Sequence, residues 1–210
     1  NSKFLFDYDL KKSNWFNIGG KAKVYFKPDT LDDLVLFLKR FGEKERVFVL
    51  GAGSNILMTD KKFDGVVIKL GRNFSNLSLL PNKIIVAGSA VTDKKLSEFA
   101  MDNNIGGFEF LSCIPGTVGG GLRINSGCFG SEFKDILVSV QVIDKKGNIK
   151  TIPRSNIKFG YRQSPLDKEF IFLSASFKGK NKEKNEIEKI IKKLKNQKDV
   201  AQPTKIKTGG

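Results

Sequence analysis

Residues 114–130, IPGTVGGGLRINSGCFG, place glycine at 116, 119, 120, 121, 127 and 130. Glycine brings no side-chain chemistry and loses more backbone freedom on folding than any other residue. Three adjacent glycines, Gly119, Gly120 and Gly121, are therefore a poor way to fill a core. They predict a loop in which the main chain turns sharply or lets another group come close. Two uses stay open: a structural loop with unusual backbone angles, or a cradle for a ligand. A second such segment, Gly51-Ala52-Gly53-Ser54-Asn55, follows directly on the apolar run RVFVL. Successive N–H groups in such a turn can hold an anion, with Ser54 and Asn55 as added donors. The alternative is a tight turn capped by Ser and Asn. Ile56 follows Asn55, so this is not G-x-G-x-x-G, and the chain has no G-x-x-x-x-G-K-[ST]. Two phosphate-cradling loops outside those patterns point to a pyrophosphate-containing cofactor or substrate.

The surroundings are mixed α and β. AKVYFKP alternates and reads as a strand ending at Pro28. Thr30 caps a helix, with Asp33 completing a capping-box variant and Leu31, Leu34, Val35 and Leu38 on one face. The runs at 46–50 and 65–70 read as short strands buried on both faces. A strand at 83–90 leads to a helix capped by Thr92, with Leu96, Phe99 and Ala100 inward and Gly106 as its stop. Residues 136–144 and 149–152 form a hairpin around KKGN, and 170–177 a further strand. Residues 181–197 form a charged helix with Ile187, Ile190, Ile191 and Leu194 as its stripe. KDVAQPTKIKTGG, after it, has turn chemistry and nothing to pack.

The absences narrow the chemistry. With no histidine there is no Ser-His-Asp triad, no Cys-His pair and no His-ligated zinc. Cys113 and Cys128 are too few and too far apart in sequence for a structural metal site. No disulfide is expected, and Cys113 reads as a small core residue. Acid–base chemistry must come from Ser, Tyr, Lys or carboxylates, or a cofactor must carry the hard step. The net charge of +15 raises nucleic acid as a partner. No basic run is interleaved with aromatics, so the lysines read as solvated faces, and an anionic small ligand is a third use for some of them. No apolar run approaches the ~20 residues of a membrane span and no signal peptide is visible, so a soluble cytoplasmic protein is expected.

The segments NWFNIGGKA, VLGAGSNIL, GFEFLSCIPGTVGGGLRINSGCFG, FGYRQS and QPTKIKTGG occur in this order along the chain. In this they resemble the UDP-N-acetylenolpyruvoylglucosamine reductase family, the flavoenzymes that complete UDP-N-acetylmuramate synthesis for the cell wall. The resemblance implies an α+β fold of the vanillyl-alcohol-oxidase type, with FAD between two subdomains. It divides the chain into a first FAD-binding subdomain over 1–70, a second over 71–200, and the start of a linker to a substrate-binding domain over 201–210. Gly51, Ala52, Gly53, Ser54 and Asn55 match the family's first FAD loop. Ile114, Pro115, Gly116, Thr117, Gly119, Gly120 and Gly121 match the second, and Asn125 and Gly127 the segment after it. Tyr161 and Arg162 match a Tyr-Arg pair whose arginine is catalytic. That arginine would grip the enolpyruvyl carboxylate and steady the charge formed on hydride addition. Without the resemblance, Arg162 reads as a surface ion-pair residue.

The implied reaction takes hydride from NADPH through noncovalent FAD to a UDP-sugar enolpyruvate. The family's proton-donating serine follows the matched Thr-Gly-Gly, and a late glutamate lies in a third domain. Neither is in this chain, so a fragment without turnover is expected. Cys128 stands where the family usually has Ala, and Phe129 where it often has Tyr; covalent flavin attachment through Cys128 is not expected. The alternatives are another flavin oxidase of the same fold, or a lysine-rich nucleic-acid-binding protein. QPTKIKTGG and the Tyr161-Arg162 pair argue against the former. The latter predicts no role for the glycines.

Overall fold

The computed structural model describes residues 2–201. The QPTKIKTGG segment, and with it all but the first residue of the expected linker, lies outside the described residues. The chain opens with β1 (Lys3–Asp9), β2 (Lys21–Lys27), α1 (Leu31–Phe41), β3 (Val47–Val49) and β4 (Phe63–Ile68). These strands form one sheet in the order β1-β2-β4-β3. β2 runs parallel to β4 and β4 to β3, while β1 is antiparallel to β2. The capping box at Thr30 forms as expected, with Asp33 N–H donating to Thr30 Oγ1 at 3.2 Å and Thr30 N–H donating to Asp33 Oδ2 at 3.1 Å.

Both faces of this sheet are covered. On one, Phe26, Val66 and Ile68 pack with Leu34, Phe37 and Leu38 of α1. On the other, Tyr25, Val67 and Ala22 pack with Leu10, Leu50 and the flanking Ile56 and Met58. β4 is therefore the doubly buried strand that its apolar run predicts. β3 is not. It is an edge strand, with Phe48 38 % and Val49 36 % exposed. An apolar run cannot announce that one of its flanks has no neighbour. β1, which the sequence pattern did not single out, supplies the opposite edge.

The second part contains β5 (Leu77–Leu80), β6 (Ile84–Gly88), α2 (Asp93–Asp102), β7 (Ile105–Gly106), α3 (Val118–Arg123), β8 (Gly127–Cys128), β9 (Ser131–Glu132), α4 (Phe133–Ile136), β10 (Leu137–Ile143), β11 (Ile149–Pro153), β12 (Ile171–Lys178), β13 (Lys180–Asn181) and α5 (Lys184–Ala201). A five-stranded sheet runs β11-β10-β12-β6-β5, all neighbours antiparallel. Its main core joins Ile85, Val140, Val142 and Phe177 of the sheet to Leu96 and Ala100 of α2, Leu122 of α3 and Phe133 of α4. The far end of this sheet docks on the first: Ile143, Ile171 and Leu173 belong to the core that holds α1.

Three expectations change here. α2 stops at Asp102 with Asn103 as its cap, and Asn104 takes the left-handed turn at φ 57°, ahead of Gly106. α5 continues to Ala201, and Lys198 is engaged, donating to the Cys113 carbonyl at 2.8 Å. Gly119 to Gly121 lie inside a short helix, α3, where a loop was expected. The reason is space. A Cβ on Gly121 would stand 2.6 Å from Phe133 Cζ and 2.9 Å from Ser126 Oγ, and one on Gly119 3.0 Å from Ser89 Cβ. Two of the three glycines are therefore packing residues after all. They let α3 lie against the Phe133 ring and the end of β6.

Candidate functional site

The Gly51 loop follows β3 at the carboxyl end of the parallel strands, the end at which α/β sheets usually present ligands. Leu50 and Ile56, both packed in the core beneath, pin its two ends. Gly53 has φ +73°, and a Cβ there would stand 2.8 Å from Asn14 Cα. Trp15 N–H donates to the Gly53 carbonyl at 2.8 Å. The NWFNIGG segment thus props the loop from behind. Lys69 leaves the same end of β4, next to β3, and its ammonium bonds the Gly51 carbonyl. Burial, with Lys27 nearby, lowers the Lys69 pKa.

The two glycine segments meet. A Cβ on Gly51 would stand 2.9 Å from Thr117 Oγ1 and 3.9 Å from Gly120 Cα. Gly120 is the open one of the three: its nearest neighbour would be Thr117 Oγ1 at 3.6 Å. The main-chain N–H groups of Gly51, Ala52, Gly53, Ser54, Asn55, Thr117 and Gly120 donate to no acceptor among the described residues. Val118 and Gly119 instead donate to Val91 and Ser89 carbonyls, each at 2.9 Å, which fixes the second segment against the start of α2. A row of N–H groups unpaired among the described residues, beside a half-buried lysine, can hold an anion with several oxygens. This is the test a pyrophosphate-bearing cofactor must pass, and these residues fit it.

A second cluster lies past α3. The six residues of α3 span roughly 9 Å. A cleft of about 370 Å³ is lined by Gly127, Cys128, Phe129, Lys134, Tyr161 and Arg162, among others. Tyr161 is 82 % exposed. Arg162 has φ 52°, and its guanidinium lies 5.4 Å from the Tyr161 ring centroid. It donates no hydrogen bond among the described residues, so the surface ion pair that Arg162 suggests on its own is not formed. Its charge helps lower the carboxyl pKa of Glu132, whose chief cause is the Lys134 ammonium.

Asn125 is fully buried and saturated within the protein. Its amide donates to Glu132 Oε2 at 2.9 Å and to the Gly160 carbonyl at 3.1 Å, and its oxygen accepts from Lys134 N–H at 3.0 Å. It ties the Gly127 segment to the turn that carries Arg162. Arg123 holds the rest of that turn through the Leu166, Asp167 and Phe170 carbonyls and stacks on Phe172. The sequence reading did not single out Arg123 or Lys69. Nothing in the composition sets one lysine apart from another; only the parallel pairing of β3 and β4 brings Lys69 to the loop.

The two cysteines are neighbours in space. Cys128 Sγ donates to the Phe110 carbonyl at 3.2 Å, and both thiols are free. Burial, and then the Cys113 thiol beside it, push the Cys128 pKa up to about 11. No group of three metal-ligating side chains occurs among the described residues, and no described helix is long and apolar enough to cross a membrane.

The family described as "FAD binding domain" matches residues 22–153. The UDP-N-acetylenolpyruvoylglucosamine reductase of Pelagibacter ubique (strain HTCC1062) is 67 % identical over 209 residues, covering 100 % of this chain and 69 % of that protein. The chain belongs to the UDP-N-acetylenolpyruvoylglucosamine reductase family. The member from Rickettsia akari (strain Hartford) is 44 % identical over 204 residues, 97 % of this chain and 69 % of its own. The crystal structure of UDP-N-acetylenolpyruvylglucosamine reductase from Thermus caldophilus matches with a TM-score of 0.85 at 26 % identity, over 100 % of this chain and 73 % of that one. The two-sheet architecture is thus the α+β FAD-binding fold that the motifs imply.

Proposed function

We propose that this chain provides the cofactor site of an FAD-dependent reductase of UDP-N-acetylglucosamine enolpyruvate, with NADPH as hydride donor. The observation that carries the reading is the junction of the two glycine segments, with seven N–H groups unpaired among the described residues. Gly51 to Asn55, Thr117 and Gly120 would hold the pyrophosphate of FAD without a covalent bond. Lys69 supplies positive charge there and holds the Gly51 carbonyl. Bound FAD would supply the hydride relay from NADPH to the enolpyruvyl double bond. Arg162, without an acceptor among the described residues, would grip the substrate carboxylate with two parallel bonds and oppose the negative charge that builds on it. Tyr161 would line the same cleft. A nucleic-acid partner is not needed to account for the charge, and none is proposed.

The test is to purify the protein without added flavin, record its visible absorption, and identify any released cofactor by chromatography. Bound or readily rebound FAD, bleached by NADPH, is expected. FMN in its place, or indifference to added FAD, would overturn the reading.

A further inference from the structure

Asp93, the first residue of α2, is 0 % exposed, and neither of its carboxyl oxygens has a hydrogen-bond partner among the described residues. Its main-chain N–H donates to the Gly116 carbonyl at 3.2 Å, and a Cβ on Gly116 would stand 2.5 Å from Asp93 Oδ2. The carboxyl therefore lies directly beneath the segment that brings Thr117 to the cradle. An ionised carboxylate without a donor is not tolerated in such a place. Burial alone pushes its pKa up to about 8. The charged groups of the elements packed around α2 are occupied elsewhere. Lys94 and Glu98 of α2 pair with each other at 3.6 Å in solvent, and Lys95 is exposed. Glu109 pairs with Lys182 at 3.1 Å. Lys184 of α5 holds Asp102 at the far end of the helix, Lys198 donates to the Cys113 carbonyl, and Arg123 of α3 faces the carbonyls of residues 166–170.

We propose that Asp93 is a positioning residue for the cradle: as a neutral acid it lets the Gly116-Thr117 segment pack down on α2, and loss of its proton lifts that segment away, weakening FAD binding in alkali. The inference rests on the FAD site proposed above. A charge formed under Gly116 must be hydrated, and the route to water runs through the segment that covers it. Bound pyrophosphate carries the same sign of charge and opposes that ionisation further. FAD binding and the Asp93 proton are therefore linked, with affinity falling as pH rises past the titration of the free protein. The chain has no histidine, the side chain that ordinarily titrates near neutrality; Lys69, whose pKa burial lowers, is the other group at the cradle that loses charge in alkali, and it does so in the wild type and in Asp93→Asn alike.

FAD dissociation constants from flavin fluorescence, taken from pH 6 to 9.5 for the wild type and Asp93→Asn, test this. The wild-type value is expected to stay level to about pH 7.5 and then climb toward tenfold per unit, the limit for one linked proton. Asp93→Asn, neutral throughout, should keep only the shallower climb that Lys69 contributes. Urea unfolding without FAD gives a second readout. The native state keeps the proton to about pH 8, whereas an unfolded Asp loses it near pH ~3.9. Wild-type stability should therefore fall between those limits and level off above, and Asp93→Asn should lack that slope. A level wild-type FAD series, or an Asp93→Asn protein with the same alkaline climb, overturns the proposal. If Asp93→Asn does not fold, the same series on Lys69→Met, which removes the other alkaline group of the cradle, decides: it should keep the climb, and a level series overturns the proposal. Absence of FAD uptake at every pH overturns the FAD site itself.

Discussion

Gly120 and Gly121 are adjacent, yet alanine should act on them in opposite senses. At Gly121 the new methyl would stand 2.6 Å from Phe133 Cζ, where carbon pairs prefer about 3.5–4.0 Å. Phe133 is fully buried against Phe110 and Phe177, so its ring must move by roughly 1 Å into packed neighbours. Overpacking of this kind costs about 1–3 kcal/mol, and the helix preference of Ala over Gly returns up to ~1 kcal/mol. For a chain of this size each kcal/mol moves the midpoint by roughly 2–4 °C, so Gly121→Ala should melt a few degrees lower. At Gly120 nothing lies nearer than 3.6 Å, so the helix preference acts unopposed and Gly120→Ala should melt up to a few degrees higher. Its methyl, however, would stand on the open face beside the unpaired N–H groups. FAD affinity should fall at least tenfold, about 1.4 kcal/mol. Thermal unfolding without FAD, with FAD titration alongside, measures both. Undiminished FAD binding by Gly120→Ala, or a Gly121→Ala protein as stable as wild type, refutes the division of labour between the two glycines.

Arg123→Lys removes a planar fork that one ammonium cannot replace; residues 160–170 should become the first site of limited proteolysis, with a loss of roughly 1–2 kcal/mol in urea unfolding. Lys69→Met should weaken FAD binding about tenfold and flatten its salt dependence, read from titrations at rising KCl. Cys128, with its pKa raised to about 11, should react with iodoacetamide at pH 7.5 roughly a hundredfold more slowly than a free thiol, as followed by intact mass. A fast reaction would contradict its burial.

Local chemistry was legible in the sequence wherever the cause was local. The Thr30 capping box, the Thr92 cap and the hairpin turn at 145–148 depend on residues a few positions apart, and all form. What the sequence hides is what lies alongside. Residues 46–50 look like a central strand, but the sheet ends there. Gly119 and Gly121 look like loop residues because their real constraint, the Phe133 ring and the Ser89 main chain, comes from elsewhere in the chain. Cys113 and Cys128 look remote and are adjacent. Asp93 looks like an ordinary acidic residue in the first turn of a helix; only its burial without partners sets it apart. The glycine segments were legible as a pair because each carries its own signature. Their meeting at Gly51 and Thr117 follows from tertiary docking, which no spacing encodes.

That meeting makes the cradle a property of neither sheet. Gly51 hangs from β3 of the first sheet and Thr117 caps α3, which packs on the second, and the surfaces that hold them in register are the shared layer of Leu34, Leu38, Ile143, Ile171 and Leu173. A partly folded chain with either sheet complete has half a cradle and no grip. A ligand seated across the junction works as a keystone, its binding free energy adding directly to the docking of one sheet on the other. Damage to the shared layer, with every glycine intact, should then be felt first as a loosened cofactor.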